Sequence, residues 1–285
     1  MVLHGKKPCS KKLAPYIDRI DRSRCHGAVK VATPQQAVTI TSFTVNAPKA
    51  YLIPLYDLHV GSPWFREDVF LGYREWILAQ QHAYVVAGGD FHENMVADNR
   101  ASNVFEQTMS PYEQLDKTTE LLLPLRNRIL AGCTGNHDRR HVQRTSLDLM
   151  SLLWDRLQLP RNTFGAMAVY LRMVVGTACY DLYMVHGWGG ARNAGGQVNK
   201  LEELSKVIDA DVFLAGHEHT LTHSRINHRI VDHEGNAQSK RKLFIGCGGF
   251  KDYDPFLVNI GRRPPDVGAP RIRFDGERKD IHVSF

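Results

Sequence analysis

The sequence has no apolar run near the roughly 18–20 residues that a membrane-spanning helix needs, so neither a helical span nor a membrane partner is expected. Residues 1–7 bring basic side chains with no apolar core behind them, which argues against a secretory signal. Cysteine is scarce. The five present (Cys9, Cys25, Cys133, Cys179 and Cys247) are odd in number and scattered, which excludes a disulfide framework and points to a reducing, cytoplasmic setting. Cys-x-x-Cys and His-x-x-x-His pairs are missing around His4, Cys9, Cys25 and His26, so these residues lack the spacing of a zinc site. Internal repeats and low-complexity tracts are also missing, and nothing specifies an oligomeric state.

Charge of either sign is nearly absent as an excess outside one stretch. Residues 1–30 hold eight Lys/Arg against Asp18 and Asp21, which is the whole net charge of +6, and the rest of the chain balances 28 basic against 28 acidic residues. A basic arm of this kind suits a solvated extension or a polyanion such as nucleic acid. The arm extends into residues 37–45, which alternate, are rich in β-branched residues and predict a strand that pairs with a sheet edge or forms a short hairpin. The division expected is a basic N-terminal extension over 1–47 and one domain over 48–285.

What the domain does contain is a set of short apolar runs, each stopping on polar residues that ligate metals. Runs at 51–56, 83–87, 129–133, 182–185 and 212–215 predict buried strands. They lead into Asp57-Leu58-His59, Gly89-Asp90, Gly135-Asn136-His137-Asp138, His186-Gly187 and Gly216-His217-Glu218-His219. Strand ends along one sheet edge converge, and open α/β folds place their sites there. Two Asp, one Asn and four His then supply oxygen and nitrogen donors enough for two divalent ions sharing one carboxylate. This set suits Mn, Fe, Zn or Ni better than Ca. A purely structural reading would have to explain why five of the fourteen His fall in these blocks.

Between the runs, the 3.6-residue period predicts a helix over 67–82. A second is predicted from Ser110-Pro111, disturbed near Pro124, and others over 146–157 and 201–208. Strands are predicted over 169–175 and 179–185 about Gly176, in a hairpin through His233-Glu234-Gly235-Asn236, and over 242–245, 257–260 and 271–274. Residues 187–196 form a glycine-rich loop with Trp188, Arg192 and Asn193. Periodicity by itself supports an α/β fold.

The ordered series Asp-x-His, Gly-Asp, Gly-Asn-His-Asp, His-Gly and Gly-His-x-His, from Asp57 to His219, resembles the calcineurin-like metallophosphoesterase superfamily. The resemblance implies a two-sheet β-sandwich flanked by helices and a dinuclear centre. Asp57, His59, Asp90 and His219 would hold one ion, and Asp90, Asn136, His186 and His217 the other, with Asp90 shared. It implies in-line attack of hydroxide at phosphorus. His137 would be the catalytic residue that protonates the leaving oxygen or steadies the phosphate, and Asp138 would orient it and favour its charged form. Manganese is the first expectation, with iron, zinc or nickel as alternatives.

The Ser/Thr phosphatase branch carries Gly-Asp-x-Val-Asp-Arg-Gly and Glu where Asp138 stands, and both features are missing here. Asp57-Leu58-His59-Val60-Gly61 and the Asp-ended Gly-Asn-His-Asp resemble the phosphodiesterases and nucleases, and His186-Gly187-Trp188-Gly189-Gly190 resembles bacterial and viral members. The expected substrate is a phosphodiester in nucleic acid or a nucleotide. Arg139, Arg140 and Arg192 are the candidate phosphate-binding residues, and Trp64 and Trp188 the candidates to stack on a base. A phosphomonoesterase is the alternative within the class. Outside it stands a nucleic-acid-binding accessory protein that uses the basic arm.

Overall fold

The computed structural model describes residues 38–96, 104–191, 193–231 and 233–285. The basic arm and its cysteines, and Arg192, lie outside the described residues. The architecture is two six-stranded sheets packed face to face with helices on the outer faces. This is the sandwich that the resemblance implies. Among the described residues no helix is long and apolar enough to cross a membrane.

One sheet is built on the parallel strands β2 (Lys49–Leu55), β3 (Ala83–Ala87), β4 (Ile129–Cys133) and β5 (Phe164–Gly165). Antiparallel β11 (Arg271–Asp275) and β12 (Ile281–Ser284) extend it past β2. The other sheet has the order β1 (Val38–Val45), β6 (Ala168–Val175), β7 (Ala178–Val185), β8 (Val212–Ala215), β10 (Ala237–Cys247) and β9 (Leu221–Val231). The strand expected in the extension is β1. It pairs in parallel with β6, Val38 opposite Ala168, while β6 runs antiparallel to β7, Ala168 opposite Val185.

The parallel strands are apolar along their length because both faces are covered. In β2, Leu52 faces the other sheet and packs with Leu171, Leu182 and Ile272, while Ile53 faces the helices and packs with Phe70, Leu115 and Trp154. A third cluster joins Tyr183, Phe213 and Phe244 to Leu201 and Leu204 on the far face.

The helices depart from the sequence expectations at their ends. α1 (Glu67–Ala79) stops before 82, with Gln80 already extended. α2 (Pro111–Leu122) starts at Ser110, whose hydroxyl accepts from Glu113 N while the Glu113 carboxylate accepts from Ser110 N, a cap that contributes about 1 kcal/mol. It passes into a 3-10 stretch, Leu123–Arg128, that carries Pro124. α3 (Asn136–Thr145) begins inside the Gly-Asn-His-Asp block and ends on Ser146 at φ +58°. The next helix, α4 (Leu149–Arg156), is therefore shorter than expected and is capped by Asp148. α5 (Ala194–Glu203) lies earlier than 201–208, because Asn193 Oδ1 accepts from Gly196 N and starts the helix within the glycine-rich segment. Residues 257–260 are not a strand. Asp254 caps α6 (Pro255–Asn259) with Pro at its first position, and this start signal overrides the β-branched composition.

Candidate metal centre

β2, β3 and β4 lie side by side and parallel, as do β7 and β8, so the polar residues after each strand meet along one rim of the sandwich. The turns there are unusual. Asp57, His59, Asp90, His217 and His219 all have φ between +50° and +68°, in the left-handed region that non-glycine residues enter at a cost of about 1–3 kcal/mol each. The surrounding backbone holds them: His59 N donates to Asp90 O at 3.0 Å, Phe250 N to Asp57 O at 2.8 Å, and Asp266 N to His219 O at 2.8 Å. Glycines make room for the carboxylates. A Cβ at Gly135 would stand 2.0 Å from Asp90 Oδ1, and one at Gly216 would stand 2.4 Å from Asp57 Oδ2.

Two donor clusters result. In the first, His59 Nε2 and His219 Nε2 are 3.3 Å apart and lie 3.8 and 3.5 Å from Asp57 Oδ1. In the second, His186 Nε2 lies 3.1 Å from Asp90 Oδ2 and 3.3 Å from His217 Nδ1. The end of the Asn136 amide sits 2.9 Å from His186 Nε2 and 2.6 Å from His217 Nδ1. Asp57 Oδ1, 3.9 Å from His186 Nε2, reaches toward both clusters.

These spacings fit divalent ions. Donor atoms about 2.1 Å from a shared tetrahedral ion stand about 3.4 Å from one another. Asp57 Oδ1 is fully buried with no hydrogen-bond donor, so it is an anionic oxygen aimed at nitrogens too distant to bond to it. The histidine tautomers agree. His186 Nδ1 donates to Gly88 O at 2.9 Å and His59 Nδ1 to Glu93 Oε2 at 2.7 Å, so each Nε2, once deprotonated, directs its lone pair into a cluster.

The electrostatics match a site built for cations. Burial opposes ionisation of Asp90, but His186 and His137 outweigh it and hold the carboxyl well below the usual range. Asp57 is lowered likewise, by His219 and His186 against burial. Burial would lower His59, but the Glu93 carboxylate and the nearby Asp57 carboxylate, 3.8 Å from Nε2, raise it to about 9. His186 is raised against burial to about 9 by Asp90 and Asp57. Both imidazoles are therefore protonated at pH 7 in the metal-free protein and must lose that proton to ligate. Affinity for a divalent ion should rise with pH, by about tenfold per unit at each site, and level off above about 9. Calorimetric titration in buffers of different ionisation enthalpy should show release of about one proton per ion. Uptake with no proton release would contradict this ligand set.

His137 lies beside the first cluster, its ring centroid 4.6 Å from that of His59. Its Nδ1 donates to Glu93 O at 2.6 Å, so Nε2 is left for the cleft that His137 helps to line. Asp138 does not orient it. As the third residue of α3, Asp138 turns its carboxylate back over the helix start and accepts from Asp90 N at 2.8 Å, from Gly135 N at 3.2 Å and from His92 Nδ1 at 3.1 Å. Nor is His137 biased toward its charged form, since burial outweighs Asp90 and lowers it to about 4.

Arg139 donates to Met167 Sδ at 3.1 Å, away from the clusters. Arg140 is half-buried and reaches Met95 Sδ at 3.5 Å; burial lowers its pKa against the nearby charges of Asp90 and Glu93. Trp64 and Trp188 line two smaller neighbouring cavities and not the metal cleft. Sequence reasoning missed Glu93, Lys251 and Asp254, a buried chain behind His59 in which Lys251 Nζ pairs with Glu93 Oε1 at 3.2 Å and with Asp254 Oδ2 at 2.7 Å. Glu93 had one signal, its place directly after Gly89-Asp90-Phe91-His92. Lys251 and Asp254 had none.

A scan against family models finds no match, and a search of curated proteins finds none either. Among solved structures the chain is similar to a metallophosphoesterase from Sphaerobacter thermophilus (18% identity, 84% of this chain and 87% of that one, TM-score 0.41). It is similar also to a conserved uncharacterized protein, a predicted phosphoesterase, from Streptococcus pneumoniae TIGR4 (12%, 82% and 88%, TM-score 0.36) and to wild-type Vps29 complexed with Zn2+ from Entamoeba histolytica (13%, 82% and 97%, TM-score 0.37).

Proposed function

We propose that this protein is a dinuclear metal-dependent phosphodiesterase that acts on nucleic acid or a nucleotide. The observation that carries the reading is the pair of adjoining donor clusters, Asp57/His59/His219 and Asp90/His186/His217, at metal-ligand spacing on one rim. Asn136 completes the second set, and the resemblance assigns Asp90 to both, while Asp57 Oδ1 also lies within 3.9 Å of nitrogens of both clusters.

Divalent ions held there would supply hydroxide at neutral pH and neutralise charge on the phosphoryl oxygens. The chain's own residues do the rest. Glu93 fixes the His59 ring through Nδ1 and is itself held ionised, since His59 and Lys251 outweigh its burial. His137, tethered by the Glu93 carbonyl, presents Nε2 toward a phosphoryl or leaving oxygen in the cleft. Because the free imidazole is neutral, an arriving anionic phosphate raises its proton affinity, so Nε2 takes up a proton from solvent and then gives it to the leaving alkoxide. Arg140, a guanidinium with no carboxylate partner among the described residues, lies close enough to Asp90 and Glu93 to add positive charge to the field around the clusters.

Two chromogenic esters test the reading. Manganese should support hydrolysis of bis-p-nitrophenyl phosphate in preference to p-nitrophenyl phosphate, and a chelator should abolish it. Preference for the monoester would move the assignment to a phosphomonoesterase. No turnover of either ester with manganese, iron, zinc or nickel demonstrably bound would reject catalysis. Nucleic-acid binding lost on removing residues 1–30 would then favour an accessory protein.

A further inference from the structure

The cleft beside the metal-ligand residues has one wall that no motif supplies. Phe256, Leu257, Ile260 and Arg263, on α6 and the turn after it, line this cleft together with His59, Asp90, His137 and His219. The segment is pinned at both ends to the centre. At its start, Asp254 caps α6 and pairs with Lys251, which pairs with Glu93 behind His59. At its end, Arg262 donates to Ala191 O and pairs at 3.2 Å with Glu218, the residue between His217 and His219. Tyr253 Oη donates to Arg262 O at 2.7 Å and closes the segment on itself.

The two adjacent arginines differ. Arg262 is spent on that anchorage. Arg263 is exposed, and among the described residues it has no ion pair or hydrogen bond. A guanidinium held on a cleft wall without a counter-charge is suited to a phosphate, which it can meet with two parallel N–H donors. Beside it, Phe256 and Ile260 are 39% and 37% exposed and, with Leu257, Pro264 and Pro265, form the apolar side of a cleft whose other side carries the polar groups of the centre. An aromatic face open to a ligand accepts a flat ring.

We propose that residues 255–263 form the subsite for the part of the substrate beyond the reacting phosphate. Phe256 and Ile260 hold a ring of the esterified group, and Arg263 takes a second phosphate. The substrate class is then a nucleotide or oligonucleotide with at least two phosphates. This rests on the phosphodiesterase reading and narrows it.

The experiment has a binding arm and a turnover arm. Calorimetry on the manganese-loaded protein compares a nucleoside 3′,5′-bisphosphate with the matching 5′-monophosphate. The bisphosphate should bind about tenfold tighter, the scale of one partly solvated charge-assisted contact, and Arg263→Ala should erase that preference while Arg263→Lys keeps part of it. In turnover, Arg263→Ala should raise KM for a terminally phosphorylated dinucleotide by about tenfold relative to KM for bis-p-nitrophenyl phosphate. Equal affinity for the two nucleotides, or a preference that survives Arg263→Ala, overturns the subsite. Failure of bis-p-nitrophenyl phosphate hydrolysis in the wild type tells instead against the phosphodiesterase reading, and the binding comparison still decides for or against Arg263.

Discussion

Asp90→Asn is expected to lower turnover by roughly 10³-fold or more, since the charge stabilisation it removes amounts to several kcal/mol at about 1.4 kcal/mol per factor of ten. The substitution keeps the shape of the side chain and deletes its charge. One oxygen accepts from His137 N at 2.7 Å, and the other faces His186 Nε2 at 3.1 Å. Asn in this place offers at most a neutral carbonyl to a cluster assembled around a carboxylate. The variant should bind fewer manganese ions, measured by elemental analysis after gel filtration, with an unchanged near-UV circular dichroism spectrum. Wild-type metal content together with wild-type turnover would remove Asp90 from the centre.

His137→Ala should leave metal content and thermal stability close to wild type while kcat falls by roughly 10²–10⁴-fold, the usual contribution of a positioned acid–base group. The geometry separates this residue from the ligands. Its Nδ1 is committed to the Glu93 carbonyl, and the side chain of Glu93 is turned to His59 and Lys251. Loss of manganese in this variant would instead place His137 among the ligands, in the cluster it makes with His59 and Glu93. Partial recovery of turnover on adding imidazole would support a role in proton transfer, whereas a purely structural histidine would give none.

The strands that carry the centre were legible because both of their faces are covered and their composition shows it. The expected runs at 83–87, 129–133 and 212–215 coincide with β3, β4 and β8. The ends were legible because hard and borderline donors after an apolar run have few structural uses. Their surroundings were not. The left-handed φ of Asp57, His59, Asp90, His217 and His219 runs against local preference, and only the assembled rim imposes it. Asp138 stands next to His137 in sequence, and adjacency suggests a pair. On a helix, however, neighbouring side chains point apart, and the carboxylate goes to the helix start. Lys251, itself paired with Asp254, reaches Glu93 across 158 positions of sequence, a pairing that no local pattern encodes. The beginnings of α5 and α6 escape a reading by composition because single capping residues, Asn193 and Asp254, outweigh the propensity of the residues after them.

The direction of β1 fixes where the first part of the chain is attached. Val38 stands opposite Ala168, and Ala168 stands opposite Val185, the residue before His186. Two strand spacings, about 10 Å, therefore separate the point at which residue 38 enters the sheet from the strand that delivers a metal-ligand histidine. The attachment point for the positive charge of residues 1–30 is thus on the same side of the molecule as the cleft and not at its far pole.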